Sequence, residues 1–157
     1  MFGFNKRTCI HFLPVAKGKT IRLEEVPDAV FSQKMLGDGY AVIPSEGVIS
    51  APVSGTIVQV FPTLHAIGIE TKEGLEVLVH IGLNTVTLKG EGFSQLCEVG
   101  KKIKAGDPLV RVDLALLKEK NISEITPVLI TNMEKVKSVK IFEGEHVKIS
   151  AEVNLVK

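Results

Sequence analysis

The chain has 157 residues, of which 45% are hydrophobic, so it is long enough for one sizeable core and too short for two ordinary domains. Its 19 basic and 18 acidic residues give a net charge of +1, which excludes the strong positive field that draws proteins onto nucleic acid or anionic lipid. Because no apolar stretch approaches the roughly 18 to 20 residues of a membrane span, we expect no integral membrane segment.

The first ten residues mix apolar and basic side chains but lack the apolar region and cleavage site of a signal peptide. We therefore predict a flexible N-terminus over residues 1–10 and a single domain over residues 11–157. Cys9 and Cys97 form neither a C-x-x-C pair nor a dense framework. This usage indicates free thiols in a reducing compartment, so we expect a cytoplasmic protein.

Along the rest of the chain, glycine, proline and aspartate separate short runs rich in valine and isoleucine. Short helical turns are predicted at Asp28–Lys34 and Asp113–Lys120, the second with Asp113 as a cap. Pro14–Ile21 resembles Pro52–Ile57, which indicates a duplicated β unit. The spacing of the runs predicts an all-β, antiparallel sandwich or barrel. The runs are Thr56–Phe61, Ala66–Thr71, Leu75–Ile81, Pro108–Val112, Pro127–Ile130, Ser138–Phe142 and His146–Ser150.

Two of the four histidines can be related by the geometry of a hairpin. The stretch from Thr71 to Gly74 resembles a turn, and a turn centred between Lys72 and Glu73 places His65 directly opposite His80. We therefore predict the two rings on one face, within about 8 Å of each other. A three-residue loop with Gly74 in the bulge position would shift the register by one residue and separate the rings.

Opposed imidazoles can serve several purposes. One neutral ring can attack phosphorus while the other donates to a phosphoryl oxygen, because phosphoryl transfer needs positioning and charge stabilisation above all. The simpler alternative is a pair of hydrogen-bonded histidines with a structural role. Zinc is a weaker alternative, because His65 and His80 have no third ligand in register. We expect no intrinsic metal, although a carboxylate from a partner could complete such a site.

The stretch from Leu78 to Phe93 reads LVHIGLNTVTLKGEGF. It resembles the signature around the phosphorylated histidine of the glucose-family enzymes IIA of the bacterial sugar phosphotransferase system. The resemblance extends from about Ile10 to the end of the chain, with the matching segments in the family's order. These segments are residues 26–31, 37–39, 51–57, 61–66, 126–128 and 132–133.

This resemblance implies a phosphoryl carrier without a cofactor. His80 matches the phosphoacceptor, His65 the second active-site histidine, and Thr63 a hydroxyl that hydrogen-bonds within the site. The implied partners are the histidine-containing phosphocarrier protein, HPr, as donor and the cysteine of a sugar-permease IIB unit as acceptor. Regulatory protein partners are also known in the family. Its exposed apolar docking ring matches Phe31, Met35, Phe61 and Leu78, which composition alone would place in the core.

One position departs from the family pattern. The family usually has aspartate four residues after the phosphorylated histidine, where this chain has Asn84. Asparagine keeps hydrogen-bonding capacity but loses the charge that could pair with an arginine on a partner. Asp28 matches another acidic position of the family and is the candidate for that role here.

Two other functions compete with this interpretation. Residues 51–57 and 104–109 also resemble segments of biotinyl and lipoyl carrier modules, although Met133–Glu134–Lys135–Val136 is a poor match to their modified lysine. The chain could also act as a regulatory binding protein that uses the apolar ring without turnover.

Overall fold

The computed structural model describes residues 9–156. Over this range the α-helices are α1 (Ala29–Ser32) and α2 (Leu114–Glu119), and 3₁₀ turns lie at Leu23–Glu25, Thr85–Leu88 and Met133–Lys135. The strands are β1 (Cys9–Phe12), β2 (Gly18–Arg22), β3 (Asp38–Pro44), β4 (Val48–Ser50), β5 (Gly55–Val60), β6 (Ala66–Glu70), β7 (Glu76–His80), β8 (Phe93–Gln95), β9 (Lys102–Ile103), β10 (Pro108–Val112), β11 (Thr126–Ile130), β12 (Val136–Ile141), β13 (Gly144–Glu145) and β14 (Ala151–Leu155).

The strands form antiparallel sheets that pack as a sandwich. A large sheet has the order β13-β2-β3-β11-β7-β6-β5-β9, and two smaller sheets have the orders β1-β14-β12 and β4-β10-β8. Tyr40, Ile67 and Val128 of the large sheet share the main core with Phe12 and Ile49 of the smaller sheets. The predicted all-β architecture with short helical turns is confirmed.

A second, smaller core lies on the opposite face of the large sheet. Because strand residues alternate between faces, Ala41 and Leu129 point away from the main core that Tyr40 and Val128 enter. The chain between β2 and β3 covers this outer face and contributes buried side chains that include Leu23 and Phe31. The candidate site is built on this small core.

Both predicted helical turns are present, and each is capped by the expected type of residue. Asp28 accepts a hydrogen bond from the Val30 backbone N–H at 3.0 Å, and Asp113 accepts one from Leu116 at 3.2 Å. An aspartate at this position satisfies a backbone donor that the helix itself leaves unpaired.

The predicted strand at His146–Ser150 is wrong. This segment is irregular, and the strand β14 begins only at Ala151. His146 adopts φ 52, a left-handed conformation that cannot continue a strand. The strand is absent because the chain makes a local turn at His146, which the apolar run does not indicate.

The structure describes only the last two residues of the segment predicted to be flexible, residues 1–10. Residues 1–8 lie outside the described residues, whereas Cys9 and Ile10 begin β1, which pairs with β14. Cys9 and Cys97 are both free thiols. A single domain over residues 11–157 stays a prediction.

Two further observations bear on the function classes considered above. Lys135 lies in a 3₁₀ turn between β11 and β12, strands of different sheets, and so does not occupy the tip of a β-hairpin. Within residues 9–156, none of the helices combines the length and apolar character needed to cross a membrane.

Candidate active site

His80 is the last residue of β7 and points to the outer face of the large sheet. Val77 and Val79 enter the main core, so Leu78 and His80 face the other way by the alternation of the strand. Leu78 packs against the small core, while the His80 side chain remains partly exposed. The strand thus places the His80 ring beside the small apolar core.

The backbone immediately after β7 fixes the orientation of the His80 ring. His80 Nδ1 lies 2.8 Å from the carbonyl oxygen of Gly82, which can only accept a hydrogen bond. Gly82 has φ 77, and a Cβ there would lie 2.4 Å from the Thr85 methyl group and 2.9 Å from the Ser123 carbonyl oxygen. Glycine is therefore required for the turn that presents this carbonyl to the ring.

His65 reaches the same place from the loop between β5 and β6. Leu64, which precedes it, has φ 62, and this left-handed residue interrupts the strand alternation before β6 begins at Ala66. The His65 side chain is buried, and its Nδ1 is hydrogen-bonded to Thr63 Oγ1. The Phe61 ring packs edge-on against His65, with centroids 5.2 Å apart.

The predicted hairpin register is wrong, although the predicted proximity of the two rings is confirmed. Ala66, rather than His65, lies opposite His80, because the loop has three residues and Gly74 adopts φ 95. In that register a regular strand would send His65 to the main core. The left-handed Leu64 prevents this, and the ring centroids of His65 and His80 lie 5.2 Å apart at an interplanar angle of 75°.

The surroundings of both imidazoles favour the neutral form. Burial lowers the pKa of His65, and the neighbouring His80 lowers it further. Burial also lowers the pKa of His80, while the Gly82 carbonyl and the Asp28 carboxylate oppose that shift. Since the hydrogen bonds use Nδ1 of each ring, Nε2 is the nitrogen left for chemistry in both.

The four residues expected to form an exposed apolar ring differ in their surroundings. Met35 is 67% exposed, and Phe61 and Leu78 are half-buried. Phe31 is only 4% exposed, so its expected exposure is wrong. Its ring packs against His80, with centroids 4.9 Å apart, because it fills the small core beneath that histidine.

Other apolar side chains that the sequence analysis did not single out are exposed on the flanking segments. Val30 of α1 and Leu36 just after it are 38% and 46% exposed, and Val86 in the 3₁₀ turn after Asn84 is 49% exposed. The short helix α1 buries Phe31 and leaves Val30 exposed. An apolar run does not indicate which side chains of so short an element stay exposed.

Asp28 and Asn84 occupy the ends of segments that adjoin His80. Asp28 begins α1 and raises the pKa of His80 against the larger effect of burial. Asn84 adopts φ 63, a conformation that asparagine tolerates better than most residues. The charge that the family usually has at this position is therefore replaced by a side chain suited to the turn.

A metal site is not preformed on this surface. Within residues 9–156, no three side chains of histidine, cysteine, aspartate or glutamate lie close enough to hold an ion. A zinc ion bound by His65 and His80 would need ligands from another molecule.

Comparisons with known proteins show the family of this chain. The profile of the EIIA 1 family of the phosphoenolpyruvate-dependent sugar phosphotransferase system matches residues 10–136. The chain is 53% identical over 128 residues to the glucose-specific EIIA component of Halalkalibacterium halodurans, covering 82% of this chain and 72% of that protein. It is 50% identical over 127 residues to the glucose-specific EIIA component of Bacillus cereus, covering 81% and 77%.

A solved structure gives the same result. The glucose permease IIA of Mycoplasma capricolum superposes with a TM-score of 0.87 at 42% identity, covering 97% of this chain and 99% of that one. The superposition covers nearly all of this chain.

Proposed function

From the premise that this chain belongs to the EIIA 1 family of the phosphoenolpyruvate-dependent sugar phosphotransferase system, we propose that it carries a phosphoryl group on His80. The group comes from phospho-HPr and passes to the cysteine of a sugar-permease IIB unit. The observation that carries this proposal is the pair of rings 5.2 Å apart, each with Nδ1 already hydrogen-bonded.

The tautomer of His80 follows from its hydrogen bond. Nδ1–H of His80 donates a hydrogen bond to the Gly82 carbonyl, so Nε2 of the neutral ring carries the lone pair that attacks phosphorus. The bond from Nε2 to phosphorus forms as the phosphorus–nitrogen bond of the donor breaks. When the IIB thiolate attacks, the bond to Nε2 breaks, a bond to sulfur forms, and His80 is again neutral.

His65 complements this chemistry as a hydrogen-bond donor. When the Thr63 hydroxyl donates to Nδ1 of His65, the proton of the neutral ring lies on Nε2. That N–H can then donate to a phosphoryl oxygen as charge develops in the transition state. A positioned donor of this kind stabilises a transition state by a few kcal/mol, about 3 kcal/mol in measured cases.

The surroundings of the histidines suit two successive protein partners. The partly exposed Leu78, on the same strand face as His80, and the exposed Met35 provide apolar contact area, and Asp28 provides a negative charge. Such a patch suits transient docking of HPr and of IIB in turn. We place these encounters in the cytoplasm, where Cys9 and Cys97 stay reduced. We propose glucose as the sugar, because the relatives carry that name.

The same exposed patch supports a second, compatible function. Regulatory proteins could bind it in one phosphorylation state, since a phosphoryl group on His80 would place negative charge beside Leu78. Binding and phosphoryl transfer would then compete for one surface.

The direct experiment is incubation with HPr, its kinase and phosphoenolpyruvate, followed by intact-mass measurement. We expect the gain of one phosphoryl group that acid removes and base does not, as for phosphohistidine. No gain, or an acid-stable phosphate, would contradict the proposal. Co-expression with biotin and lipoate attachment enzymes is the control for a carrier module, and no mass should be added there.

A further inference from the structure

Thr85 lies beneath the turn that follows His80 and is fully buried. Its hydroxyl donates a hydrogen bond of 2.5 Å to the backbone carbonyl of Ile81. A buried hydroxyl of this kind is costly unless it is paired, and here the pairing partner is the peptide group between the phosphoacceptor and the carbonyl that orients it.

The Ile81 backbone connects the segments that carry the two histidines. Its N–H donates to the carbonyl oxygen of His65 at 2.7 Å, while its carbonyl accepts from Thr85. Both peptide groups of Ile81 are therefore fixed, one by the loop of His65 and the other by a side chain.

Thr85 also constrains Gly82 directly. A Cβ on Gly82 would lie 2.4 Å from the Thr85 methyl group, so this methyl group packs closely against the glycine. On the next residue, the Leu83 N–H donates to the Ser123 carbonyl oxygen at 3.0 Å. With its neighbours fixed on both sides, the Gly82 carbonyl has little freedom to leave His80 Nδ1, which lies 2.8 Å away.

We propose that Thr85 is a positioning residue whose hydroxyl sets the tautomer of His80 and therefore the ring nitrogen that receives the phosphoryl group. This inference rests on the proposed function of the site. With the Gly82 carbonyl in place, the proton stays on Nδ1 and Nε2 attacks. Without the Thr85 hydroxyl, the turn loosens, the tautomer with the proton on Nε2 is populated, and Nδ1 becomes the competing nucleophile.

Two matched pairs of variants isolate the hydroxyl. The first pair is the wild type and Thr85→Val, whose side chains have the same shape but differ in the hydroxyl. The second pair is Thr85→Ser and Thr85→Ala, which both lack the methyl group and differ in the hydroxyl. Thr85→Val leaves the Ile81 carbonyl unpaired and could fail to fold for that reason. In that case Thr85→Ala is used, because the smaller side chain leaves room for a water molecule to pair with this carbonyl. Comparing Thr85→Ser with Thr85→Ala then isolates the hydroxyl in the same way.

The first measurement is nitrogen NMR of His80 in the unphosphorylated protein above pH 7, which reports the tautomer ratio. We expect the wild type and Thr85→Ser to hold the proton on Nδ1, and the valine and alanine variants to lower that ratio by roughly fivefold, the effect of about one hydrogen bond. The second is phosphorus NMR after reaction with phospho-HPr, where these two variants should gain phosphate on Nδ1.

Unchanged tautomer and unchanged phosphorylated nitrogen in both hydroxyl-free variants, with only a lower Tm, would overturn the inference and leave Thr85 a purely structural residue. Failure of the wild type to accept phosphate would instead contradict the proposed function. The tautomer ratio still decides the role of Thr85 in that case, because it is measured without any partner.

Discussion

At the residue scale, the two histidines differ in what holds their Nδ1 atoms. His80 bonds to the Gly82 carbonyl, which accepts only, whereas His65 bonds to the Thr63 hydroxyl, which can donate. In the proposed function, this difference makes His80 the nucleophile and His65 the hydrogen-bond donor. The difference arises from two local hydrogen bonds, each spanning two residues of sequence.

The first prediction separates these roles by substitution. His80→Gln should abolish acceptance of phosphate from HPr, because the attacking nitrogen is lost. His65→Gln should still accept phosphate but pass it to IIB more slowly, by about 100-fold, the effect of losing a positioned donor. Rapid-quench measurement of each half-reaction tests this. Equal loss of acceptance in both variants would show that the rings act as one unit.

Charge near His80 gives a second prediction at this scale. Asn84→Asp adds a negative charge beside the docking surface, and we expect tighter binding of an HPr or IIB partner that presents arginine, by about twofold to fivefold at low salt. Asp28→Asn keeps the cap on α1 and should weaken binding to a similar extent. Titration calorimetry at two salt concentrations measures both, and effects that do not change with salt would argue against a charge mechanism.

At the element scale, the hairpin of β6 and β7 depends on the loop type. Gly74 adopts φ 95, and a Cβ there would find only the Lys135 side chain, at 3.7 Å, so conformation rather than space excludes other residues. Gly74→Ala should lower the free energy of unfolding by about 1 kcal/mol, and Gly74→Asn by less, because asparagine tolerates positive φ. Urea denaturation measures both. An alanine variant as stable as the wild type would contradict this account of the loop.

The same hairpin shows how far sequence reasoning extends. Apolar runs located β5, β6, β7 and β10 to within about two residues, because the run length and the glycine and proline boundaries are local signals. Run lengths and boundaries do not fix the register, because it depends on the loop type. A three-residue loop needs the left-handed conformation that Gly74 adopts, whereas a two-residue loop needs positive φ at one or both of Lys72 and Glu73.

The site required information of another kind. The family motif identified His65, His80 and Thr63, which the structure brings together. The burial of Phe31 could not be predicted, because it depends on the covering of the outer sheet face by residues distant in sequence. The conformation of Leu64 that turns His65 toward His80 has no sequence signal in an apolar residue.

At the scale of the whole molecule, the neutral histidines couple folding to pH. Burial lowers the pKa of both rings, so between the folded values and the usual value near 6.5 the unfolded chain binds more protons. The contribution of His65 and His80 to the free energy of unfolding is therefore complete above about pH 7, and it is lost as the pH falls from there through their lowered pKa values.

The prediction that follows concerns the slope of stability against pH. Urea denaturation between about pH 5 and pH 7.5, a range around the usual histidine pKa, should show stability falling with acidification. The double variant His65→Gln, His80→Gln should flatten this slope, and the control His146→Gln, at an exposed position, should retain it. An unchanged slope in the double variant would contradict the neutral state of the two rings.

A chase experiment tests most directly whether this protein works as a phosphoryl carrier. The protein is first charged with radiolabelled phosphate from HPr, freed of HPr, and then mixed in single turnover with the IIB unit of a glucose permease and the sugar. We predict that label leaves His80 as fast as it appears on IIB and then in sugar phosphate. Label that stays on the chain while the sugar is phosphorylated would contradict the account.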